Sequence, residues 1–138
     1  MNNTYDTYVP EGFHTLNSYL FVNNAEAYIT FLKNAFGAEE RSRTMDDTNT
    51  IVRNVILKIG NSSFMISEAS DHYPAMTTAF YIYMSDADAG IAKAVECGAT
   101  LEMEAADQPY GDRQGGVRDP AGNIWWIATR LVQEYYTD

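Results

Sequence analysis

The sequence predicts an α+β fold of paired βαβββ modules, with a curved mixed sheet enclosing a cleft. Three observations carry that prediction. The first is an internal repeat: Tyr19-Leu20-Phe21-Val22-Asn23-Asn24-Ala25 leads into an amphipathic run that ends at Gly37, and Tyr81-Ile82-Tyr83-Met84-Ser85-Asp86-Ala87 leads into another that ends at Gly98. A repeated unit of this length, present twice, builds a pseudo-symmetric domain with one site shared between the halves rather than a solenoid. The second is the order of patterns inside each copy, where one helical period is followed by three strand-like runs. The third is the apolar alternation of those runs, which leaves one sheet face for helices and the other for a cavity.

The elements follow in order. Residues 1–13 form a polar arm broken by Pro10 and Gly12, with Tyr5 and Tyr8 available to dock it. His14 to Val22 reads as a strand, with Leu16, Leu20 and Val22 on the helix-covered face. Asn23 or Asn24 caps a helix whose apolar positions Ala27, Tyr28, Phe31, Leu32 and Ala35 recur at helical spacing, and Gly37 ends it. Ala38 to Met45 is a polar strand and Ile51 to Ile59 a β-branched one, turning at Gly60-Asn61 into Ser63 to Ser67. Ser70 to Met76 links the modules, which run from about 14 to 69 and from about 77 to 130. In the second, Thr77 to Met84 is a strand, Ser85 or Asp86 caps a helix reaching Glu96, and Thr100 to Glu104 is a strand. Asp112 to Arg118 and Asn123 to Thr129 are strands joined by an Asp119-Pro120-Ala121-Gly122 turn. Residues 131–138 are a tail. The helix-covered core is expected to hold Phe31, Leu32, Phe80, Ile82, Trp125 and Ile127. The whole, 1–138, is read as a single domain.

Composition excludes several functions. Nine basic and nineteen acidic residues give a net charge of −10. Such a surface repels phosphate backbones and anionic lipids, so neither nucleic acid nor membrane is an expected partner. The single cysteine, Cys97, rules out an internal disulfide and sits where a packed, inert thiol fits. No apolar stretch reaches membrane-spanning length, and the N-terminus lacks the basic start and apolar core of a signal peptide, so a cytoplasmic location is expected.

Four runs carry a family likeness. They are Tyr8-Val9-Pro10-Glu11-Gly12-Phe13; Ala35-Phe36-Gly37-Ala38-Glu39-Glu40; Leu57-Lys58-Ile59-Gly60-Asn61-Ser62; and Tyr110-Gly111-Asp112-Arg113 followed by Arg118-Asp119-Pro120-Ala121-Gly122-Asn123-Ile124-Trp125. In this order, with the repeat, they resemble the PhnB-like branch of the vicinal oxygen chelate superfamily, which includes glyoxalase I, bleomycin-resistance proteins and extradiol dioxygenases. The resemblance implies paired βαβββ modules assembled as homodimers. It also implies a metal held by His, Gln and Glu from the first and last strand of each module. Carried over, those positions fall near Asn17, Met65, Ala79 and Trp126, or one step away at Phe64 and Thr78. None is a usual ligand for zinc, nickel, iron or manganese. The family's His-Ala-Glu-Leu segment is here Asn54-Val55-Ile56-Leu57. No metal and no cofactor are therefore expected.

Strand alternation then gives the cleft lining. Asn17, Tyr19, Asn54, Met65 and Ser67 come from the first module, with Tyr81, Tyr83 and Trp126 from the second. Such an aromatic wall with neutral polar groups suits a flat or apolar small molecule. Equally, the aromatics can fill the cleft or cover a dimer interface. Arg113 is a rim contact for an anionic group or one end of a structural ion pair. His14, His72, Glu68 and Glu104 read as surface groups. No catalytic residue is assigned, since no Ser-His-Asp set, partnered cysteine or phosphate loop is present. The expected protein is a metal-free, homodimeric binder of an aromatic or apolar compound. The competing readings are an enzyme with a displaced metal site or Tyr/Arg proton chemistry, and a structural or regulatory partner with a filled cleft.

Overall fold

The computed structural model describes residues 8–136. The element order is β1 (Tyr19–Val22), α1 (Ala25–Phe36), β2 (Glu39–Met45), β3 (Val52–Ile59) and β4 (Ser62–Glu68). Then come β5 (Ala79–Tyr83), α2 (Ala87–Glu96), β6 (Thr100–Asp107), β7 (Asp112–Arg118) and β8 (Ile124–Arg130). The strands of the described residues form two four-stranded sheets, ordered β1-β4-β3-β2 and β5-β8-β7-β6. In each, the outer pair (β1 with β4, β5 with β8) is parallel and the other pairs are antiparallel. The fold is thus α+β with mixed sheets in a βαβββ order, repeated twice. The sheets are open, not closed into barrels.

The repeat extends to register and to hydrogen bonds. Tyr19 lies opposite Met65 in the first sheet, and Tyr81 opposite Trp126 in the second. Three positions on from Met65 and from Trp126, the two sheets also cap their helices alike. The Glu68 carboxylate accepts the Asn24 and Ala25 N–H groups at 2.9 Å each. At the matching place Thr129 Oγ1 accepts the Ala87 N–H at 2.8 Å, while Asp86 caps α2 by accepting from Ala89. The unpaired N–H groups that begin a helix are satisfied here from the end of the last strand, and an anion such as Glu68 is favoured there by the helix dipole. Glu68, expected as a solvated group, is therefore a structural cap. Asn24 stands at the helix start with φ 57°, and its N–H goes to Glu68.

Compactness divides the chain into two units: residues up to Ile29 with Gly37–Met76, and Thr30–Phe36 with the chain from Thr77 onward. In the first, Leu20, Val22, Val55, Leu57 and Ile66 alternate onto the buried sheet face. In the second, Phe36 stacks on Trp125 with ring centres 4.3 Å apart, and Phe80 lies 4.4 Å from the same indole. Of the expected core, Phe31, Leu32, Trp125 and Ile127 are buried. Phe80 and Ile82 are half-buried, because β5 is an edge strand.

The Asp119–Asn123 turn shows why that sequence is so recognisable. Asp119 Oδ1 accepts the Ala121 and Asn123 N–H groups at 2.9 and 3.0 Å, and its Oδ2 accepts the Trp125 indole N–H at 2.8 Å. Asn123 Oδ1 accepts the Thr78 N–H at 2.9 Å, which ties the turn to the start of β5. Gly122 sits at φ 89°, where a side chain is strained. The motif is thus a structural lock on the β7–β8 hairpin.

Two sequence expectations change. The first strand is short, from Tyr19 to Val22 instead of from His14. Asn17 explains the difference: its Oδ1 accepts the His14 N–H at 2.9 Å and its Nδ2 donates to the His14 carbonyl at 2.7 Å. That local loop competes with strand pairing. Leu16, expected inside, is 90 % exposed as a result. β6 runs on to Asp107, three residues past the expected end. In the N-terminal arm Tyr8 is exposed, and Tyr5 lies outside the described residues. No helix of the described residues is long and apolar enough to cross a membrane.

Candidate functional site: a tyrosine-walled cavity over a buried aspartate

Alternation places Asp112, Gln114 and Gly116 of β7 on the same sheet face as Trp126, Ala128 and Arg130 of β8 and Tyr81 and Tyr83 of β5. Asp112 is wholly buried on that face. Its Oδ2 accepts the Tyr81 hydroxyl at 2.6 Å and the Tyr136 hydroxyl at 2.5 Å, and its Oδ1 accepts Arg130 Nη1 at 3.0 Å. Burial alone raises the Asp112 carboxyl pKa. The bonds from Tyr136, Tyr81 and Arg130 outweigh that and hold it below the ordinary carboxylate value.

The C-terminal tail completes the arrangement. The Leu131 N–H donates to the Gly111 carbonyl at 2.9 Å, and Arg130 Nη1 donates to the Tyr110 carbonyl at 2.8 Å. The Gly111 bend, at φ 95°, leaves no room for a Cβ, which would stand 2.8 Å from Val132 Cγ2. Arg130 also donates to the Glu134 carbonyl at 2.5 Å and lies over the Tyr136 ring at 4.1 Å.

Around these groups Tyr81, Tyr83, Tyr110 and Tyr136 wall an open cavity of about 450 Å³. Each of the four is between 41 % and 52 % exposed, so the rings are accessible. Their hydroxyl protons can be assigned. Tyr81 and Tyr136 donate to the ionised Asp112, which cannot donate back. Tyr83 bonds the Tyr136 hydroxyl, whose proton is already committed, so Tyr83 is the donor. Tyr110 donates to Gln114 Oε1. All four O–H protons therefore have protein acceptors, and the cavity is offered ring surface. Burial and the bond to Asp112 hold the Tyr81 hydroxyl well above the ordinary phenol pKa, and the bonds to Asp112 and Tyr83 do the same for Tyr136. Neither of these two therefore forms a tyrosinate near neutral pH.

Trp126 lies beside Tyr81 on the same face, half-buried. Its ring lies flat over Gly116, where a Cβ would come within 2.5 Å of Trp126 Cε3. The residues that line the cavity are its tyrosine neighbours.

In the first unit the structure joins Tyr19, Asn54 and Ser67. Ser67 donates to the Arg53 carbonyl at 2.6 Å, so Tyr19 donates to Ser67 Oγ at 2.6 Å and accepts Asn54 Nδ2 at 3.2 Å. Phe21 lies 5.0 Å from Tyr19 and stacks on Tyr73 at 5.2 Å. Met65 is the partner of Tyr19 on one side and of Ile56 on the other, and is half-buried. Asn17 stands apart in its turn with His14 and is exposed.

Arg113 points to the opposite face from the tyrosines. It pairs with Asp88 of α2 at 2.6 Å and with Asp107 of the neighbouring strand at 3.0 Å. Of the two expectations for Arg113, the structural ion pair is the one seen in the structure. Sequence reasoning missed Asp112, Tyr110 and Tyr136 as parts of one site. The Tyr110-Gly111-Asp112 run was a usable signal for the first two, whereas nothing periodic marks Tyr136 in the tail.

The metal implied by the family resemblance does not fit these residues. An amide turned onto His14, a thioether, a methyl group and an indole stand at Asn17, Met65, Ala79 and Trp126. Among the described residues no three His, Cys, Asp or Glu side chains gather as a metal-binding group.

Comparison with known proteins places this geometry. The profile of the Glyoxalase/Bleomycin resistance protein/Dioxygenase superfamily matches residues 12–127. The Arabidopsis thaliana protein At5g48480 is 33 % identical over 117 residues, covering 74 % of this chain and 69 % of that protein. Its crystal structure aligns with a TM-score of 0.68 at 28 % identity, covering 84 % of this chain and 98 % of that one. TioX from Micromonospora sp. ML1 aligns with a TM-score of 0.73 at 21 % identity, covering 86 % and 99 %. TnmS3 from Streptomyces sp. CB03234, described as an antibiotic binding protein, aligns with a TM-score of 0.67 at 17 % identity, covering 93 % and 99 %.

Proposed function

This chain belongs to the glyoxalase/bleomycin resistance protein/dioxygenase superfamily, and on that premise we propose that it is a metal-free small-molecule binding protein that takes a planar aromatic or apolar compound. The observation that carries the reading is the tyrosine cavity of about 450 Å³, in which every wall hydroxyl proton is bonded to another protein atom. A cavity of that size accommodates a drug-sized ring system. Its walls give stacking surface without donors that would demand a polar ligand. The likeness to TnmS3, described as an antibiotic binding protein, supports small-molecule binding. In the first unit, Tyr19, Asn54 and Ser67 form a hydrogen-bonded group of their own, with Met65 as Tyr19's partner in the sheet. Within the superfamily the four sequence runs favour the PhnB-like branch, with a homodimer as the working assembly.

The test is calorimetric titration of a panel of planar aromatics against the wild type and Tyr83→Ala. The reading expects a ligand of micromolar affinity or better that the variant loses by at least tenfold. A panel that gives no heat of binding and leaves tryptophan emission unchanged would overturn it.

A further inference from the structure

We propose that the tyrosine cavity selects cations: its ligand class is a planar aromatic carrying a fixed or protonated positive charge. This rests on the binding reading above and adds the charge of the ligand to it.

Three features of the cavity lead there. First, the commitment of all four hydroxyl protons to protein acceptors leaves no donor, and the walls present π faces to the ligand. A ring face is the negative part of an aromatic quadrupole, and a cation within about 6 Å of it is attracted. An anionic group finds no donor in these walls. Second, the one cationic side chain of this cluster is already satisfied. Arg130 is tied to Asp112, to the Tyr110 carbonyl and to the Glu134 carbonyl. It is neutralised by Asp112 and does not repel a second cation as a free guanidinium would. Third, the protein itself places a cation on one of these rings, since the Arg130 guanidinium lies 4.1 Å from the centre of the Tyr136 ring. The remaining rings, Tyr81, Tyr83 and Tyr110, offer the same surface to a ligand. Tyr81 and Tyr83 stand 5.4 Å apart with their planes tilted by 56°, so one charge can approach both. The net charge of −10 adds a long-range attraction of the same sign.

The experiment uses the full chain at pH 8 and three probes of one size: N-methylquinolinium, quinoline and quinoline-4-carboxylate. Affinities are read by calorimetry in 0.05 M and 0.5 M sodium chloride, because high salt screens the long-range field and leaves the contact term. The expected result is N-methylquinolinium at least tenfold tighter than quinoline in high salt, with the carboxylate weakest. Tyr83→Leu and Tyr110→Leu, both at exposed positions, keep apolar surface and remove the ring, so each should shrink the N-methylquinolinium-to-quinoline ratio. Equal binding of quinoline and N-methylquinolinium in 0.5 M salt overturns cation selection and leaves the binding reading standing. An unchanged ratio in both folded variants overturns the assignment to this cavity. Failure of all three probes overturns the binding reading and the selectivity with it.

Discussion

Replacing Asp112 is the most informative perturbation, because one buried carboxylate organises β5, β7, β8 and the tail. In Asp112→Ala, the Tyr81 and Tyr136 hydroxyls and the Arg130 guanidinium lose their shared acceptor. Breaking a buried charge pair by deleting one partner costs about 3–5 kcal/mol. Arg130 is 23 % exposed at its side chain, so water recovers part of this. The expected loss is therefore about 3 kcal/mol, at the low end of that range. Asp112→Asn should cost less. Its oxygen can keep the Arg130 bond while its NH2 donates to the two tyrosine oxygens, whose protons then swing outward. Only the charge is lost, and about 1–2 kcal/mol is expected. For a chain of this length each kcal/mol lowers Tm by roughly 3–5 °C. Thermal melts at pH 7 should thus place Asp112→Ala about 10–15 °C below the wild type, with Asp112→Asn between them. The pH dependence has a definite sign. The folded-state pKa of Asp112 is depressed below 3.8. Its contribution is therefore complete above that unfolded value and is lost as pH falls through the folded one. The gap between wild type and Asp112→Asn should narrow below about pH 4. An Asp112→Ala protein that melts within 2 °C of the wild type at pH 7, or a gap that widens in acid, would refute the reasoning.

Gly116→Ala should force the Trp126 ring off the sheet, costing about 1–2 kcal/mol and shifting tryptophan emission to the red; an unshifted spectrum would show that the ring does not need the glycine. Asp119→Ala removes the acceptor of two turn N–H groups and the Trp125 indole, so chemical denaturation should show a loss of about 2–4 kcal/mol, against under 1 kcal/mol if the lock is dispensable. Elemental analysis after purification without chelator should find far less than one transition metal per chain, and added nickel or zinc should produce no glyoxalase turnover. Sedimentation should give twice the 15.5 kDa chain mass at micromolar concentration; a monomer mass would remove the homodimer.

Much of this fold was legible because its signals are local or periodic. The repeat of Tyr19–Ala25 by Tyr81–Ala87, the capping by Asp86 and the Asp119–Asn123 turn all act within a few residues, and each stands where the sequence put it. Strand alternation likewise gave the shared face of Tyr81, Tyr83 and Trp126. What failed was set by partners far away in sequence or by competition. A helix cap supplied by Glu68, 43 residues after Ala25, leaves no local mark. The start of β1 was lost to the Asn17–His14 loop, a side-chain bond that outcompetes an extended run. The site shows the same division. Tyr81 and Tyr83 follow from alternation, whereas Tyr136 joins them only because the tail folds back on Gly111. Trp126 is the most conspicuous aromatic of the last strand, yet its ring lies against Gly116 and the residues that line the cavity are its tyrosine neighbours.

The central claim is that a small molecule is held by four particular tyrosines out of the ten in the chain. Fluorine NMR of the protein labelled with 3-fluorotyrosine tests it most directly, with N-methylquinolinium as the titrant and Tyr→Phe variants for assignment. The account predicts that the resonances of Tyr81, Tyr83, Tyr110 and Tyr136 move together along one saturable curve, while that of Tyr8 stays in place. Saturable shifts confined to tyrosines outside this set, or no shift at millimolar titrant, would contradict it.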